Sequence, residues 1–298
     1  MEAFISMSLF KNKKHNIDVN NAINSTDTDL NISDTLQDNS VEEQGSYQLT
    51  EEDIAINYIN NNILSDKNNG VLNVMDIDYI DDYKYQYMDK VEAINLLHFI
   101  QKIGKSSFKE CSTMTKFTII PPVNDLIISD SAFEYCSNLQ QFNVNGNISM
   151  LGENAFAHCS NLESIILNGL KQIAPNAFLF NSKLKTIQMP NVTHIGAGAF
   201  QYCGSLNDFG RCINLREIDS FAFSNSGLSK LIIPSSIMYI GGYAFENNFN
   251  LTDVYFETNN TQIDLGDDIF KNNKNIVIHT QNKSIINYCK KYKYNYVG

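Results

Sequence analysis

The stretch IGAGAFQYCGSL, residues 195–206, decides the fold because its frame recurs along the chain. LGENAFAHCSNL (151–162) and IGGYAFENNFNL (240–251) are two further copies with the same Ala-Phe pair. Eight phenylalanines occupy this position at intervals of 22–25 residues: Phe108, Phe133, Phe156, Phe178, Phe200, Phe223, Phe245 and Phe270. A repeat of this length is typical of a solenoid, in which stacked units share one continuous core.

Each copy has two parts. A short alternating run, such as LESIIL (162–167) or LTDVYF (251–256), predicts a strand with one buried face. A turn follows, and the Phe-x-x-Cys spacing predicts a short helical turn with both side chains on one side. The sequence therefore predicts an α/β solenoid of about eight coils of 22–25 residues. Each coil has a short parallel strand and a short helical turn, and both ends are capped.

The glycines of the opening stretch also suggest a dinucleotide-binding loop. Gly196 and Gly198 lack the third glycine of the G-x-G-x-x-G frame, so we interpret them as the turn that leads into Ala-Phe. The sequence therefore predicts no cofactor.

The repeat resembles the BspA-type leucine-rich repeat, whose pattern is close to L-x-x-I-x-I-P-x-x-V-x-x-I-G-x-x-A-F-x-x-C-x-x-L. LIIPSSIMYIGGYAFENNFNL (231–251) follows that pattern almost residue for residue, and the resemblance covers about residues 91–298. BspA-like proteins are associated with cell surfaces, adhesion and host or matrix proteins. The resemblance therefore implies a surface-associated binding protein with a leucine-rich-repeat fold.

In seven of the eight copies, a cysteine or an asparagine lies three residues after the phenylalanine. We call these residues the ladder: Cys111, Cys136, Cys159, Asn181, Cys203, Asn248 and Asn273. In leucine-rich repeats such positions satisfy the backbone of neighbouring coils, and the interchange of these residue types fits a small, buried, hydrogen-bonding site. Coils about 5 Å apart leave a disulfide between successive cysteines open. We favour reduced thiols.

Two strand positions vary between copies, so we predict that they form two parallel rows on the outer face of one parallel sheet. The first row is Ala93, Lys116, Gln141, Ser164, Thr186, Asp208, Lys230 and Asp253. The second row is Asn95, Thr118, Asn143, Ile166, Gln188, Gly210, Ile232 and Tyr255. Twelve of these are the predicted partner-binding residues, all except Ala93, Asn95, Asp208 and Gly210. Ile166, Ile232 and Tyr255 are the apolar members that would carry contact energy.

The formal net charge is −11, and residues 1–90 hold all of the excess, with 6 basic and 17 acidic residues. Such a segment repels phosphates, so we predict no nucleic-acid partner. No stretch is apolar over the roughly 18 residues that span a bilayer, which predicts no membrane insertion. The N-terminus lacks a signal-peptide pattern. The sequence alone therefore predicts a cytoplasmic protein, the resemblance predicts the cell surface, and export by another route stays open.

The composition changes along the chain predict four parts. Residues 1–45 form a disordered Asn- and Asp-rich leader. Residues 46–90 form an acidic N-terminal cap or linker, with a helix at 50–63 and a strand within 71–80; a separate interaction domain is the alternative. Residues 91–276 form the solenoid. Residues 277–298 form a C-terminal cap, which consists of a strand, a helix and a final strand. Ser284 caps that helix, and its inward side chains are Ile285, Cys289 and Tyr292.

The sequence contains no catalytic or metal-binding constellation. The five histidines (His15, His98, His158, His194 and His279) lack metal-ligand spacing, and the acidic run 76–82 lacks the glycine and terminal glutamate of an EF-hand loop. We therefore predict a non-enzymatic protein-binding module without metal or cofactor. Two versions stay open, an adhesin-like protein at the surface and an intracellular scaffold or adaptor with the same binding face. The face could also support self-association.

Overall fold

The computed structural model describes residues 5–6, 70–75 and 77–298. Apart from Ile5 and Ser6, the predicted leader and the helix predicted at 50–63 lie outside the described residues.

Most coils contribute a longer strand and, after a turn, a shorter strand, and the strand pairs in the described part of the chain are parallel. Strand β1 (Ile5–Ser6) pairs with β2. The longer strands are β2 (Val71–Met75), β4 (Ala93–Leu96), β8 (Ser164–Ile166), β10 (Thr186–Gln188), β13 (Lys230–Ile233), β15 (Asp253–Phe256) and β17 (Val277–His279). The shorter strands are β3 (Tyr79–Ile80), β5 (Lys102–Ile103), β9 (Gln172–Ile173), β11 (His194–Ile195), β12 (Glu217–Ile218), β14 (Tyr239–Ile240) and β16 (Asp264–Leu265). In two coils both strands are fused, as β6 (Lys116–Ile128) and β7 (Gln141–Leu151).

The longer strands form three hydrogen-bonded groups, so the prediction of one continuous sheet is wrong. The groups are β1-β2-β4-β6-β7, then β8-β10, then β13-β15-β17 with the C-terminal strand β18 (Asn295–Val297). Between β10 and β13 one coil has no longer strand. There the Asp208 carboxylate accepts the backbone N–H of Gly210 at 2.9 Å, and Gly210 has φ 76°. This Asx-turn replaces the extended backbone that a strand needs.

A column of stacked rings forms the centre of the core. The eight repeat phenylalanines are all buried, and their successive ring centroids lie 5.0–5.5 Å apart. Tyr85 extends the column, because it is buried and stacks on Phe108 at 5.3 Å. Residues 70–75 and 77–90, which belong to the segment 46–90 predicted as a cap or linker, thus form a further coil with strands β2 and β3.

The segment around each phenylalanine is a pair of turns rather than the predicted helical turn. Within the described part of the chain the helix is α1 (Lys283–Tyr292). Around Phe200, Gly198 and Tyr202 both have left-handed backbone, with φ 62° and 61°. This alternation directs the N–H groups of Phe200 and Tyr202 to carbonyls of the next coil, at 2.7 and 3.0 Å. In a helical turn these N–H groups would instead donate to carbonyls of their own coil.

The C-terminal cap has the predicted order of strand, helix and strand, with one correction. Asn282, not Ser284, caps α1, and its side chain accepts from the N–H groups of Ser284 and Ile285. Ser284 instead donates its hydroxyl to the Thr261 carbonyl at 2.6 Å. Ile285 and Cys289 are buried as predicted, whereas Tyr292 is only half-buried.

Candidate protein-interaction surface

The ladder residues bind the coil that precedes them. Each of the seven donates to the carbonyl of the aromatic core residue one coil earlier, from Cys111 to Tyr85 at 2.9 Å through to Asn273 to Phe245 at 2.7 Å. A thiol and a side-chain amide can both supply this single donor, which explains the interchange of cysteine and asparagine.

All six cysteines in the sequence are free and buried. Burial raises the pKa of the Cys203 thiol to about 12 and that of Cys212 to about 11. The thiolate is the reactive form of cysteine, so these buried thiols act as packing and hydrogen-bonding groups.

The two predicted outer rows are in register wherever strands pair. Lys116 lies opposite Gln141, Thr118 opposite Asn143, Thr186 opposite Ser164, and Gln188 opposite Ile166. In the last group Lys230 lies opposite Asp253, and Ile232 opposite Tyr255. We call the outward side chains of all longer strands the outer sheet face.

Three residues of the rows deviate from the predicted placement. Asp208 and Gly210 lie in the strand-free coil. The Thr118 hydroxyl is shielded from solvent and has no hydrogen-bond partner among the described groups, so a ligand cannot reach it in this arrangement. The structure thus brings the predicted surface together in three separate groups of strands rather than on one continuous sheet.

The last sheet group carries a connected cluster of side chains, which we call the C-terminal cluster: Lys230, Asp253, Tyr255 and His279. The rings of Tyr255 and His279 stack at 4.1 Å, and the Lys230 ammonium lies 4.8 Å from the centre of the Tyr255 ring. His279 Nε2 lies 2.8 Å from Asp253 Oδ1. The hydrogen bonds from His279 and Thr252 lower the pKa of the Asp253 carboxyl, so it stays ionised near neutral pH.

A concavity of about 380 Å³ lies at the break in the sheet, beside this cluster. The residues that line it are Asn207, Asp208, Phe209, Gly210, Arg211, Ser229, Lys230, Leu231 and Ile232. Lys230 and Ile232 therefore belong both to the concavity and to the outer sheet face. Arg211 lines this concavity and donates from Nη2 to both carboxylate oxygens of Glu257, at 2.9 and 3.2 Å.

Sequence reasoning missed two parts of the surface. His279 lies in the predicted cap, but its register opposite Tyr255 shows that the outer sheet face continues to β17.

The second part is an aromatic ridge at the position two residues after the core phenylalanine. In four successive coils this position holds Tyr135, His158, Phe180 and Tyr202, whose rings stack at 4.3–4.8 Å. Four aromatic residues at the same repeat position were the signal that could have revealed it.

The aromatic ridge predicts a pH-dependent stability. Burial between Tyr135 and Phe180 lowers the pKa of His158 from its ordinary value of 6.5, although the Glu134 carboxylate opposes this. The unfolded chain therefore takes up the proton first, and folding stability falls as the pH drops below about 6.5. We expect His158→Phe, the residue that the next coil holds at this position, to reduce this loss in unfolding curves at pH 7.5 and 5.0. An identical pH dependence in both proteins would contradict this account.

Among the described residues no group of three or more His, Cys, Asp and Glu side chains is placed to hold a metal ion. No described helix has the length and apolar character needed to cross a bilayer.

The stacked coils, the ring column and the ladder define a leucine-rich-repeat solenoid. A profile of the BspA type leucine rich repeat region matches residues 78–207 and 171–296, with six copies. The chain therefore belongs to the BspA-type leucine-rich repeat family, which confirms the resemblance stated above. It is a protein-interaction repeat module, since leucine-rich repeats generally bind other proteins and are typically non-enzymatic.

One solved structure shows the same fold, and two further alignments have lower scores. A leucine-rich repeat protein from Bacteroides ovatus aligns with a TM-score of 0.51 and 22% identity, over 70% of this chain and 63% of its own, so the chain spans less than two thirds of that protein. The leucine-rich repeat protein of T. pallidum aligns with a TM-score of 0.46 and 19% identity, over 61% and 78% of the two chains. A leucine rich cell surface protein from Faecalibacterium prausnitzii aligns with a TM-score of 0.38 and 15% identity, over 71% and 81%. No curated protein matches the chain.

Proposed function

We propose that this chain is a non-enzymatic, adhesin-like protein that binds another protein through the C-terminal part of its outer sheet face. The observation that carries the proposal is the position of Lys230 and Ile232, which join the concavity at the sheet break to the C-terminal cluster. A partner side chain can enter the concavity while its neighbours lie along the strands.

The chemistry of this area fits a protein ligand. Ile232 is 42% exposed and supplies apolar contact, while Tyr255 combines an apolar ring with a hydroxyl. The Lys230 and Asp253 charges provide both signs within two neighbouring strands. Energetically dominant contacts in protein interfaces are aromatic or apolar anchors surrounded by polar groups, and this is such an arrangement.

Charge substitutions on the face test the proposal. We expect Ile232→Asp and Tyr255→Asp each to weaken partner binding at least tenfold, because burying a new carboxylate in the interface costs more than about 1.4 kcal/mol. Binding is measured by surface plasmon resonance against the partner captured from source cells or matrix.

Met150→Asp is the matched control for these variants, since Met150 is 50% exposed but lies in the shorter-strand part of β7. It should leave binding unchanged. Equal losses for all three variants, or none for Ile232→Asp and Tyr255→Asp, would contradict the assigned face.

The cellular location distinguishes the adhesin from its alternative, an intracellular scaffold or adaptor with the same face. Family resemblance supports the surface. Protease treatment of intact source cells, followed by an antibody to residues 283–298, should remove the antigen while a cytosolic control survives. An antigen protected until lysis would favour the intracellular alternative.

A further inference from the structure

A second concavity lies on the turns between the two strand rows, away from the outer sheet face. Its volume is about 390 Å³, and the residues that line it are Lys171, Asn191, Thr193, Asn214, Arg216 and Ser236. Every lining side chain is polar, and two of them are cationic. These residues come from four successive coils, in which they occupy the turn before the shorter strand.

Neither Lys171 nor Arg216 lies within ion-pair distance of a carboxylate in the part of the chain that the structure describes, although Lys171 also lines a neighbouring concavity that contains Asp130 and Glu153. Arg211, Lys185 and Lys109, by contrast, do form such ion pairs. The carboxylates nearest to Arg216 in sequence are already engaged, because His194 contacts Glu217 at 2.9 Å and Asp219 at 3.1 Å.

The two hydroxyl groups of the concavity already donate hydrogen bonds to backbone carbonyls. Thr193 donates to the Lys171 carbonyl at 3.1 Å, and Ser236 donates to the Leu215 carbonyl at 2.7 Å. The groups left to donate to a ligand are the Lys171 ammonium, the Arg216 guanidinium and the side-chain amides of Asn191 and Asn214. This donor set fits carboxylate oxygens, which Arg can bind through two parallel hydrogen bonds.

We propose that this concavity binds a short acidic peptide segment of a partner protein through two carboxylates. Lys171 and Arg216 stand two coils apart, which is about 10 Å at the usual strand spacing. Residues three apart in a polyproline II segment lie on the same side about 9 Å apart, so two acidic side chains at that spacing can meet both cations.

A peptide also fits the overall charge better than a polyanion does. The chain has a net charge of −11, which repels a ligand with many negative charges but opposes a two-carboxylate segment only weakly once salt screens the distant charges. The site goes beyond the proposed function, because it lies on different residues and does not depend on the outer sheet face.

Fluorescence anisotropy with the full chain tests the site. The probe is a fluorescein-labelled peptide of the sequence Gly-Glu-Pro-Pro-Glu-Gly, and its partner is the same peptide with glutamine for both glutamates. We expect Lys171→Gln and Arg216→Gln each to weaken binding of the acidic peptide about fivefold, and the glutamine peptide not to bind. Asn214→Asp, which adds a repelling charge, should weaken binding as well.

Lys183→Gln is the control, since Lys183 is an exposed lysine outside the concavity, and it should change binding less than twofold. Ile232→Asp should also bind the peptide normally, which separates this test from that of the outer sheet face. Unchanged binding by the Lys171→Gln and Arg216→Gln double variant would overturn the proposal. So would equal binding of the glutamine peptide, or competition by inorganic sulfate as effective as that by unlabelled peptide.

Discussion

Phe200→Ala is expected to lower the free energy of unfolding by about 3–5 kcal/mol, since it removes a fully buried ring from the centre of the column. Phe200 stacks on Phe178 at 5.3 Å and on Phe223 at 5.1 Å, so the cavity would interrupt the contact between the coils on either side. Urea unfolding followed by circular dichroism measures the change.

Phe249→Ala is the matched control for this substitution. Phe249 belongs to the next-but-one repeat and is 74% exposed, so its removal should change stability by less than about 0.5 kcal/mol. Similar losses in the two variants would show that the assignment of buried and exposed positions is wrong.

The ladder predicts that two equivalent asparagines respond differently to the same substitution. Asn248 donates to the Phe223 carbonyl at 2.8 Å, and its Oδ1 accepts from the Ser226 hydroxyl at 2.7 Å and from the Leu228 N–H at 3.3 Å. Asn248→Cys keeps a donor but removes this acceptor, so we expect a loss of about 2–3 kcal/mol.

Asn181→Cys provides the comparison. Asn181 donates to the Phe156 carbonyl at 2.8 Å, but its Oδ1 is buried without a hydrogen-bond partner among the described groups. A thiol there keeps the donor and removes an unsatisfied acceptor, so we expect stability to stay the same or to rise. Thermal unfolding of both variants measures the difference, and an equal loss at both positions would contradict this account of the ladder.

The sequence was sufficient for the features that repeat. Every core phenylalanine has the same surroundings in successive coils, so its burial and the position of the ladder followed from periodicity alone. The register of the rows followed for the same reason, as the pairing of Lys230 with Asp253 and of Ile232 with Tyr255 shows.

Periodicity could not predict the features that occur in only one coil or at one end of the chain. The break between β10 and β13 coincides with a local turn, in which the Asp208 carboxylate accepts the Gly210 N–H. The coil that contains Tyr85 was missed because tyrosine replaces phenylalanine there, and the left-handed turns were missed because a three-residue spacing also fits a helix. His279 was assigned to the cap, although its strand continues the sheet.

Site-specific photo-crosslinking tests the central claim most directly. A photoreactive amino acid is placed at Ile232 in one full-length protein and at Met150 in another, and each is irradiated with source-cell or matrix proteins. We predict a discrete crosslinked protein from position 232 that is absent from position 150 and disappears when Tyr255→Asp is added. Crosslinks from both positions alike, or from position 150 alone, would contradict binding through the outer sheet face.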